Sequence, residues 1–247
     1  RHWGADADFR NLEFYAGTDE TSQDTVTISQ GEIVAQIVHQ CEAAMEKGRD
    51  YHDLFITAPT GAGKSLLFQL PALHLAEQYN KITIVITPLI ALMKDQVNQL
   101  ETERGINCAT YINSTLSYEE REKRIAQIHS GEKSIVYLAP ELLVNAKLET
   151  ITGGRPLGLF VIDEAHIVTS WGKDFRADYW YLGDFLKHMR QQGARFPVLC
   201  LTATAIYGGA EDVVNETISS LFLSDPLIYL GRDRKSTRLN SSHLGIS

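Results

Sequence analysis

One segment of the chain has the residue types and the spacing that a polyphosphate-binding loop requires. It lies between two apolar runs, 54–56 and 66–70, and it reads Ala58, Pro59, Thr60, Gly61, Ala62, Gly63, Lys64, Ser65. A strand, a glycine-containing turn and a helix in this order place backbone N–H groups and the positive end of a helix around phosphates. Lys64 would contact the β- and γ-phosphates, and the Ser65 hydroxyl would bind Mg²⁺. Because Ala58 stands where the strict pattern has glycine, a βα turn that binds no nucleotide is the alternative.

A second segment supplies carboxylates at the end of another apolar run. Asp163 and Glu164 follow the run 158–162, and His166 comes two residues later. One carboxylate at a strand end can hold Mg²⁺ while its neighbour orients and deprotonates an attacking water. We therefore assign Asp163 to the metal, Glu164 to the water and His166 to a relay. An acidic turn at the end of a strand is the alternative.

A pair of threonines, Thr202 and Thr204, ends a later apolar run. Their hydroxyls are expected to hydrogen-bond the segment that contains Asp163 and Glu164 and to report the state of the nucleotide. Threonine at a strand end is common, so this expectation depends on the two segments above.

Apolar runs alternate with amphipathic segments along the chain, and this alternation predicts the elements that position these residues. Strands are predicted at 54–56, 82–86, 106–112, 134–138, 158–163, 198–201 and 227–230, and helices at 29–47, 66–79, 89–100, 117–129, 179–190 and 211–221, with a short helix after Pro140. Such alternation predicts an α/β fold in which a mostly parallel sheet has helices on both faces. Ligands of such sheets bind at the carboxyl ends of strands, where the phosphate loop and Asp163 both fall.

The chain divides into three parts by composition. Residues 29–231 read as one domain, and residues 1–28 form an N-terminal extension in which we find no motif. Residues 232–247 are excluded from the domain, because from Asp233 onward they resemble the in-frame translation of a DNA-sequencing adapter. We expect this tail not to be native structure and the natural protein to continue beyond Gly231.

Composition limits the classes of partner. The net charge of −8 means that any nucleic acid must be bound by a local groove and not by a basic surface as a whole. The cysteines, Cys41, Cys108 and Cys200, lack the spacing of metal ligands, which favours buried thiols in a reducing compartment. The longest apolar stretch, 82–93, is too short to span a bilayer, so we expect no membrane partner.

The order of phosphate loop, Asp-Glu-Ala-His and Thr-Ala-Thr resembles that of superfamily 2 helicases. Two further segments, 88–97 and 171–179, are similar to segments of RecQ-like DNA helicases. In that family the first lies against the DNA backbone, and it contains Pro88, Leu89 and Lys94 here. The second is similar to the aromatic-rich loop that couples single-stranded DNA to ATP hydrolysis. The resemblance covers 29–231 and implies the first of the family's two RecA-like lobes, a single RecA-like domain of the P-loop NTPase class.

The segment 171–179 has a residue pattern that two structures could explain. Aromatic residues recur every four positions with basic residues between them: Trp171, Lys173, Phe175, Arg176 and Tyr179. Exposed rings stack on bases for about 1–3 kcal/mol each, and cations between them would follow the phosphates. The spacing alone favours a helical stripe that faces a core. The resemblance favours contact with nucleic acid.

The resemblance implies roles for four more residues. Gln30 would read adenine through its side-chain amide, and Asn113, Ser114 and Pro140 would contact a nucleic-acid strand. The chain departs from the family at Leu142, where an arginine is usual, and at Lys173, where a histidine is usual. These departures concern how the binding of a nucleic-acid strand would be coupled to ATP hydrolysis.

These observations together predict the lobe that binds and hydrolyses ATP in an ATP-dependent DNA helicase, an enzyme that translocates on single-stranded DNA and separates the duplex. The implied cofactors are ATP and Mg²⁺, and the implied partners are single-stranded and duplex DNA. A second RecA-like lobe of the same protein would supply arginines to the transition state, so the 247 residues alone are expected to be nearly inactive. A cytoplasmic, nucleoid-associated location and a role in DNA repair or recombination are implied.

Other functions remain open at this point. An RNA helicase of the same superfamily is one, and a nucleotide-gated switch that binds nucleic acid without unwinding it is another. A small-molecule phosphotransferase would account for the phosphate loop but would leave the segments at 163–166, 171–179 and 202–204 unexplained.

Overall fold

The computed structural model of the chain describes residues 8–18, 24–145, 148–170, 173–203, 207 and 212–232. The side chains of residues 144–145, 169–170 and 173–180 are outside this description. Within these ranges, no helix combines the length and the apolar character needed to cross a membrane.

The strands of the described residues form one large sheet and one hairpin. The hairpin pairs two antiparallel strands, β1 and β2. The large sheet is parallel throughout, with seven strands in the order β5-β6-β4-β7-β8-β3-β9. The bounds are β1 Asn11–Tyr15, β2 Thr25–Ser29, β3 Leu54–Thr57, β4 Ile82–Ile86, β5 Ala109–Ile112, β6 Ile135–Leu138, β7 Leu157–Asp163, β8 Val198–Thr202 and β9 Leu227–Leu230.

Helices connect the strands, and local sequence signals explain where two of them begin. Ser29 and Ser117 each accept a hydrogen bond from the backbone of the glutamate three residues on, and that glutamate's side chain accepts one in return. The bounds are α1 Gln30–Met45, α2 Lys64–Tyr79, α3 Ile90–Arg104, α4 Tyr118–His129, α5 Glu141–Asn145, α6 Leu148–Thr152, α7 Ile167–Ser170, α8 Lys173–Gln191 and α9 Val213–Ser220.

The sheet is buried on both faces. Helices α1, α2 and α3 pack on one face, where Leu159 and Val161 of β7 join their apolar cluster. The helices from α4 to α9 cover the other face, where Phe160 and Ile162 belong to a second cluster. Alternate residues of one strand thus serve two cores, which is why the strands read as continuous apolar runs. The predicted α/β fold is confirmed.

Several predicted elements differ from the structure at their ends. Helix α2 begins at Lys64, two residues before the predicted start, and continues through Pro71 to Tyr79, because its buried side chains stabilise it despite the missing N–H. The strand expected at 106–112 is only Ala109–Ile112. The helix predicted to begin at Tyr179 begins at Lys173, so residues 173–178 form helix and not loop.

The hairpin β1-β2 packs on the sheet next to β9. Phe14 is 1% exposed, belongs to the cluster under α1, and contacts the Tyr229 ring edge-on at 5.7 Å. The N–H of Arg232 donates to the carbonyl of Glu13 at 2.9 Å. The division into an extension at 1–28 and a lobe at 29–231 stays a prediction, and the described part of that extension is attached to the lobe by buried contacts.

Candidate active site

The carboxyl ends of three neighbouring strands bring the predicted site residues together. In the order β7-β8-β3, Asp163 ends the first strand, Thr202 ends the second, and the phosphate loop follows Thr57 of the third. The N–H of Ala58 donates to the carbonyl of Thr202 at 3.0 Å, and the N–H of Ala165 donates to the carbonyl of Leu201 at 2.9 Å. The two segments identified in the sequence therefore flank β8 at one edge of the sheet.

The phosphate loop uses glycine where its backbone requires it. Gly61 and Gly63 have φ angles of +81° and +75°, and Gly63 is the N-terminal cap of α2. A Cβ atom on Gly63 would lie 2.7 Å from Nε2 of Gln30, so a side chain here would require the Gln30 amide to shift from its contact with the Ala62 carbonyl. Ala58 is buried, continues the pairing of β3 with β8 and has no positive φ. The departure from the strict pattern thus falls where glycine is not needed.

Lys64 and Ser65 begin α2 and already have partners within the chain. The Nζ of Lys64 donates to the carbonyl of Ala58 at 3.2 Å, so this side chain folds back on the loop. The Oγ of Ser65 accepts a hydrogen bond of 2.9 Å from Nε2 of Gln96 on α3. Thr60 and Ala62 lie within the turn between them and β3, and the N–H of Ala62 donates to Pro59 at 3.1 Å.

Asp163 is a buried carboxyl whose environment opposes its charge. It is 7% exposed, and burial, with a smaller contribution from Glu164, raises its pKa to about 6. The N–H of Glu164 donates to Oδ1 at 3.1 Å, and this contact together with Lys64 limits the rise in pKa. A cation beside Asp163 would favour its charged form, as expected of a residue that holds a metal.

Glu164 has an unusual backbone conformation. Its φ angle is +54°, in the left-handed region that a non-glycine residue adopts at a cost. Its Oε2 lies 3.4 Å from Nδ1 of His166. The same nitrogen lies 2.9 Å from Oγ1 of Thr202. Burial lowers the pKa of His166, and the negative charge of Glu164 opposes this decrease. The expected contact of a threonine with the acidic segment is thus made through His166.

Gln30 is engaged at both ends of its amide. Its Nε2 donates to the carbonyl of Ala62 at 2.7 Å, and its Oε1 accepts from the N–H of Arg10 at 3.0 Å. Arg10 also donates through its guanidinium to the carbonyl of Gly61 at 3.0 Å. Gln30 therefore joins the phosphate loop to the residues before β1, and recognition of adenine by this amide stays a prediction.

A pocket of about 390 Å³ opens beside the phosphate loop, which is within the size range of small-molecule sites. Arg10, Gln30, Ser65 and Gln69 are among the residues that line it. Arg10, Gln69 and Gln96 were not predicted from the sequence. Arg10 lies in a segment without a motif, and glutamines on helices carry no signal by themselves.

The residues predicted to contact a nucleic-acid strand differ in their exposure to solvent. Leu89 is 44% exposed, and Lys94 and Ser114 are exposed as well. Asn113 and Pro140 are buried. The Oδ1 of Asn113 accepts from both the N–H and the hydroxyl of Thr115, which shapes the turn after β5.

Several predicted residues lie wholly or partly outside the described part of the chain. Trp171 and Thr204 lie outside the described residues. The backbone of Lys173, Phe175, Arg176 and Tyr179 is in α8, but their side chains are outside the description.

Comparison with known proteins gives the chain a family. Residues 35–213 match the DEAD/DEAH box helicase family. The chain is 41% identical over 163 residues to a probable ATP-dependent DNA helicase, RecS of Bacillus subtilis, covering 66% of this chain and 31% of that protein. It is 35% identical over 187 residues to the ATP-dependent DNA helicase RecQ of Pasteurella multocida, covering 75% of this chain and 27% of that protein. The chain thus spans less than a third of the length of these curated relatives.

The fold is shared with a solved helicase structure. The crystal structure of the Pyrococcus furiosus Hef helicase domain matches with a TM-score of 0.54 and 19% identity, covering 79% of this chain and 37% of that one. Such low identity supports the fold alone. The family match includes most of the sheet, the phosphate loop and the segment with Asp163 and Glu164. The chain belongs to the DEAD/DEAH box helicase family.

Proposed function

We propose that this chain is the ATP-binding lobe of an ATP-dependent DNA helicase of the RecQ type. The observation that carries the proposal is that the phosphate loop and the Asp163–Glu164 pair lie on either side of β8 at one edge of the sheet. The similarity to proteins named as ATP-dependent DNA helicases supports the choice of reaction and substrate. The complete protein would act on single-stranded and duplex DNA in the cytoplasm.

The residues present fit a nucleotide-bound Mg²⁺. Within the described ranges, no group of three or more His, Cys, Asp or Glu side chains is arranged to hold a metal by itself. Mg²⁺ beside a nucleotide usually takes one or two protein ligands together with phosphate oxygens and waters. Ser65 and Asp163 offer oxygen ligands of the kind it prefers, and they would hold it. When bound, the ion would neutralise charge that develops on the transferred phosphoryl group.

The chain's own residues would divide the work of hydrolysis. Lys64 would exchange its contact with the Ala58 carbonyl for the β- and γ-phosphates of ATP. Glu164 would orient the attacking water and accept its proton at a carboxylate oxygen. His166, whose lowered pKa favours the neutral form, would link Glu164 to Thr202 and thereby to β8.

DNA contact and full catalysis require more than the described site. We assign contact with the DNA strand to Leu89 and Lys94 at the start of α3, to Ser114, and to the segment 171–179. Arginines of a second RecA-like lobe would complete the transition-state stabilisation, so we expect this chain by itself to hydrolyse ATP very slowly.

The test uses the full-length protein and compares its ATPase rate with single-stranded DNA and with RNA. Lys64→Ala and Glu164→Ala should each abolish hydrolysis, and Glu164→Ala should still bind ATP. Lys123→Ala, an exposed change on α4, is the control and should leave the rate unchanged. Stimulation by RNA and not by DNA would favour an RNA helicase, and stimulated hydrolysis without strand separation would favour a nucleotide-gated switch.

The segment 171–179 is tested separately. Trp171→Ala in the full-length protein should remove DNA stimulation of the ATPase while sparing nucleotide binding. Unchanged DNA stimulation would exclude the assignment of this segment to single-stranded DNA.

A further inference from the structure

A series of hydrogen bonds begins next to the phosphate loop. It joins Ser65 of α2 to Gln96 of α3, returns to Gln69 of α2 and reaches Tyr137 in the sheet. Nε2 of Gln96 donates to Oγ of Ser65 at 2.9 Å, and Nε2 of Gln69 donates to Oε1 of Gln96 at 2.9 Å. The same amide of Gln69 lies 3.4 Å from the hydroxyl of Tyr137 on β6. Gln69 and Tyr137 are buried, so the side chains packed around them restrict their movement.

The direction of these bonds restricts what the Ser65 hydroxyl can do. A serine hydroxyl has one hydrogen and two acceptor lone pairs. Since the Gln96 amide donates to one lone pair, the other lone pair and the hydrogen remain for a further partner. Gln96 is in turn kept from rotating its amide, because its Oε1 accepts from Gln69.

We propose that Gln96 is a positioning residue that orients the Ser65 hydroxyl toward nucleotide-bound Mg²⁺, and that Gln69 holds Gln96 in place. The inference rests on the proposed function, in which Ser65 is a ligand of that ion. Removing the partner of a metal ligand commonly lowers metal affinity about 10–100-fold. Gln96 also lies two residues beyond Lys94 on α3, so a movement of α3 against a bound strand would alter the contact with Ser65.

The experiment measures binding and not turnover. A fluorescent ADP analogue is titrated into the purified full chain in EDTA and at a series of Mg²⁺ concentrations. Gln96→Met keeps the length of the side chain but cannot donate or accept as the amide does. It should raise the half-saturating Mg²⁺ concentration about tenfold and leave the affinity in EDTA unchanged. Gln69→Met should shift it in the same direction by less, and Asn98→Ala, exposed on the same helix, should not shift it.

The outcomes separate this inference from the proposed function. If the unmodified chain binds no nucleotide with or without Mg²⁺, the proposed function fails, and the inference fails with it. If it binds with a Mg²⁺ dependence that Gln96→Met does not change, the inference alone is overturned. An equal loss of affinity in EDTA and in Mg²⁺ would assign Gln96 to packing and would also overturn it. Thermal melting of each variant without ligand, and the second variant at Gln69, guard against a folding defect.

Discussion

At the scale of single residues, Asp163 and Glu164 both lie in environments that lower the stability of the fold. Asp163 is a buried carboxyl with a raised pKa, and Glu164 has a left-handed backbone conformation. Costs of this kind persist where the surrounding structure maintains them, and they concentrate at functional sites. The two residues assigned to hydrolysis are therefore also residues at which stability and activity are expected to conflict.

Asp163→Asn should stabilise the chain at neutral pH. A carboxyl whose folded pKa is about 6, above its ordinary value of 3.8, favours the folded state fully below pH 3.8, and this contribution is lost as the pH rises to about 6. At pH 8 the charged form costs about 3 kcal/mol. Asparagine is neutral and can still accept from the Glu164 N–H. Thermal melting should show the variant several degrees higher at pH 8 and closer to the unmodified chain at pH 5.

The control is Asp95→Asn, an exposed change on α3. Its melting temperature should follow that of the unmodified chain at every pH. A stabilisation by Asp163→Asn that does not depend on pH would contradict the assignment of the effect to the carboxylate charge.

Gly63→Ala should be more harmful than Gly48→Ala. Both glycines have a positive φ, +75° and +87°, which costs a non-glycine residue about 1–2 kcal/mol. A Cβ at Gly48 meets nothing within 4 Å, but at Gly63 it lies 2.7 Å from Nε2 of Gln30. Urea unfolding should show the larger loss for Gly63→Ala, and only this variant should also lose nucleotide binding. Equal losses would mean that Gln30 yields without cost.

At the scale of elements, the carboxyl-terminal end of α8 is attached to the sheet at the amino ends of β3 and β8, the end opposite the candidate site. Arg190 near the end of α8 donates to both carboxylate oxygens of Asp53 at 2.6 and 2.8 Å. Asp53 also accepts from the N–H groups of Val198 and Ser224, each at 2.7 Å. One fully buried carboxylate thus joins α8, the start of β8 and the loop before β9. Because α8 begins at Lys173, this attachment orients the helix that carries part of the segment 171–179.

Arg190→Met should destabilise the chain by about 3 kcal/mol or more, since it leaves the buried Asp53 charge without its cation. Arg49→Met is the comparison, because Arg49 pairs with Glu46 at an exposed surface, where such pairs contribute about 1 kcal/mol or less. Urea unfolding measures both. The double change Arg190→Met with Asp53→Asn should recover part of the loss, and no recovery would show that Arg190 acts through packing alone.

At the scale of the whole molecule, the hairpin β1-β2 completes the fold next to the site. It covers part of the core through Phe14, and the residues before it reach the phosphate loop through Arg10. The hairpin is thus positioned to influence the loop, although it lies far from the loop in sequence terms and carries no motif.

Phe14→Ala should cost about 3–5 kcal/mol, the usual range for removing a buried phenylalanine ring. Val26→Ala on β2, where the side chain is largely exposed, should cost little. Urea unfolding gives both values. A small effect of Phe14→Ala would support a separate extension at 1–28, whereas a large one would join the hairpin to the lobe.

The sequence by itself determined the features that depend on neighbouring residues. Two capping boxes set the starts of α1 and α4, and continuous apolar runs marked strands that are buried on both faces. The spacing of Gly61, Gly63 and Lys64 marked the phosphate loop. These signals are local, because a cap, a turn or a strand period involves residues within a few positions of one another.

The tertiary structure alone decided which elements are neighbours. Leu54 of β3 lies between Leu199 and Leu227, far along the chain, and no local pattern specifies that arrangement. The contacts of Gln96 with Ser65 and of Arg10 with Gly61 follow from the packing of α3 and of the N-terminal segment around α2. Such contacts depend on the combined packing of distant segments, and a glutamine or an arginine on its own carries no sign of its partner. The sequence therefore predicted which residues carry the chemistry, and the fold determined which contacts hold those residues in place.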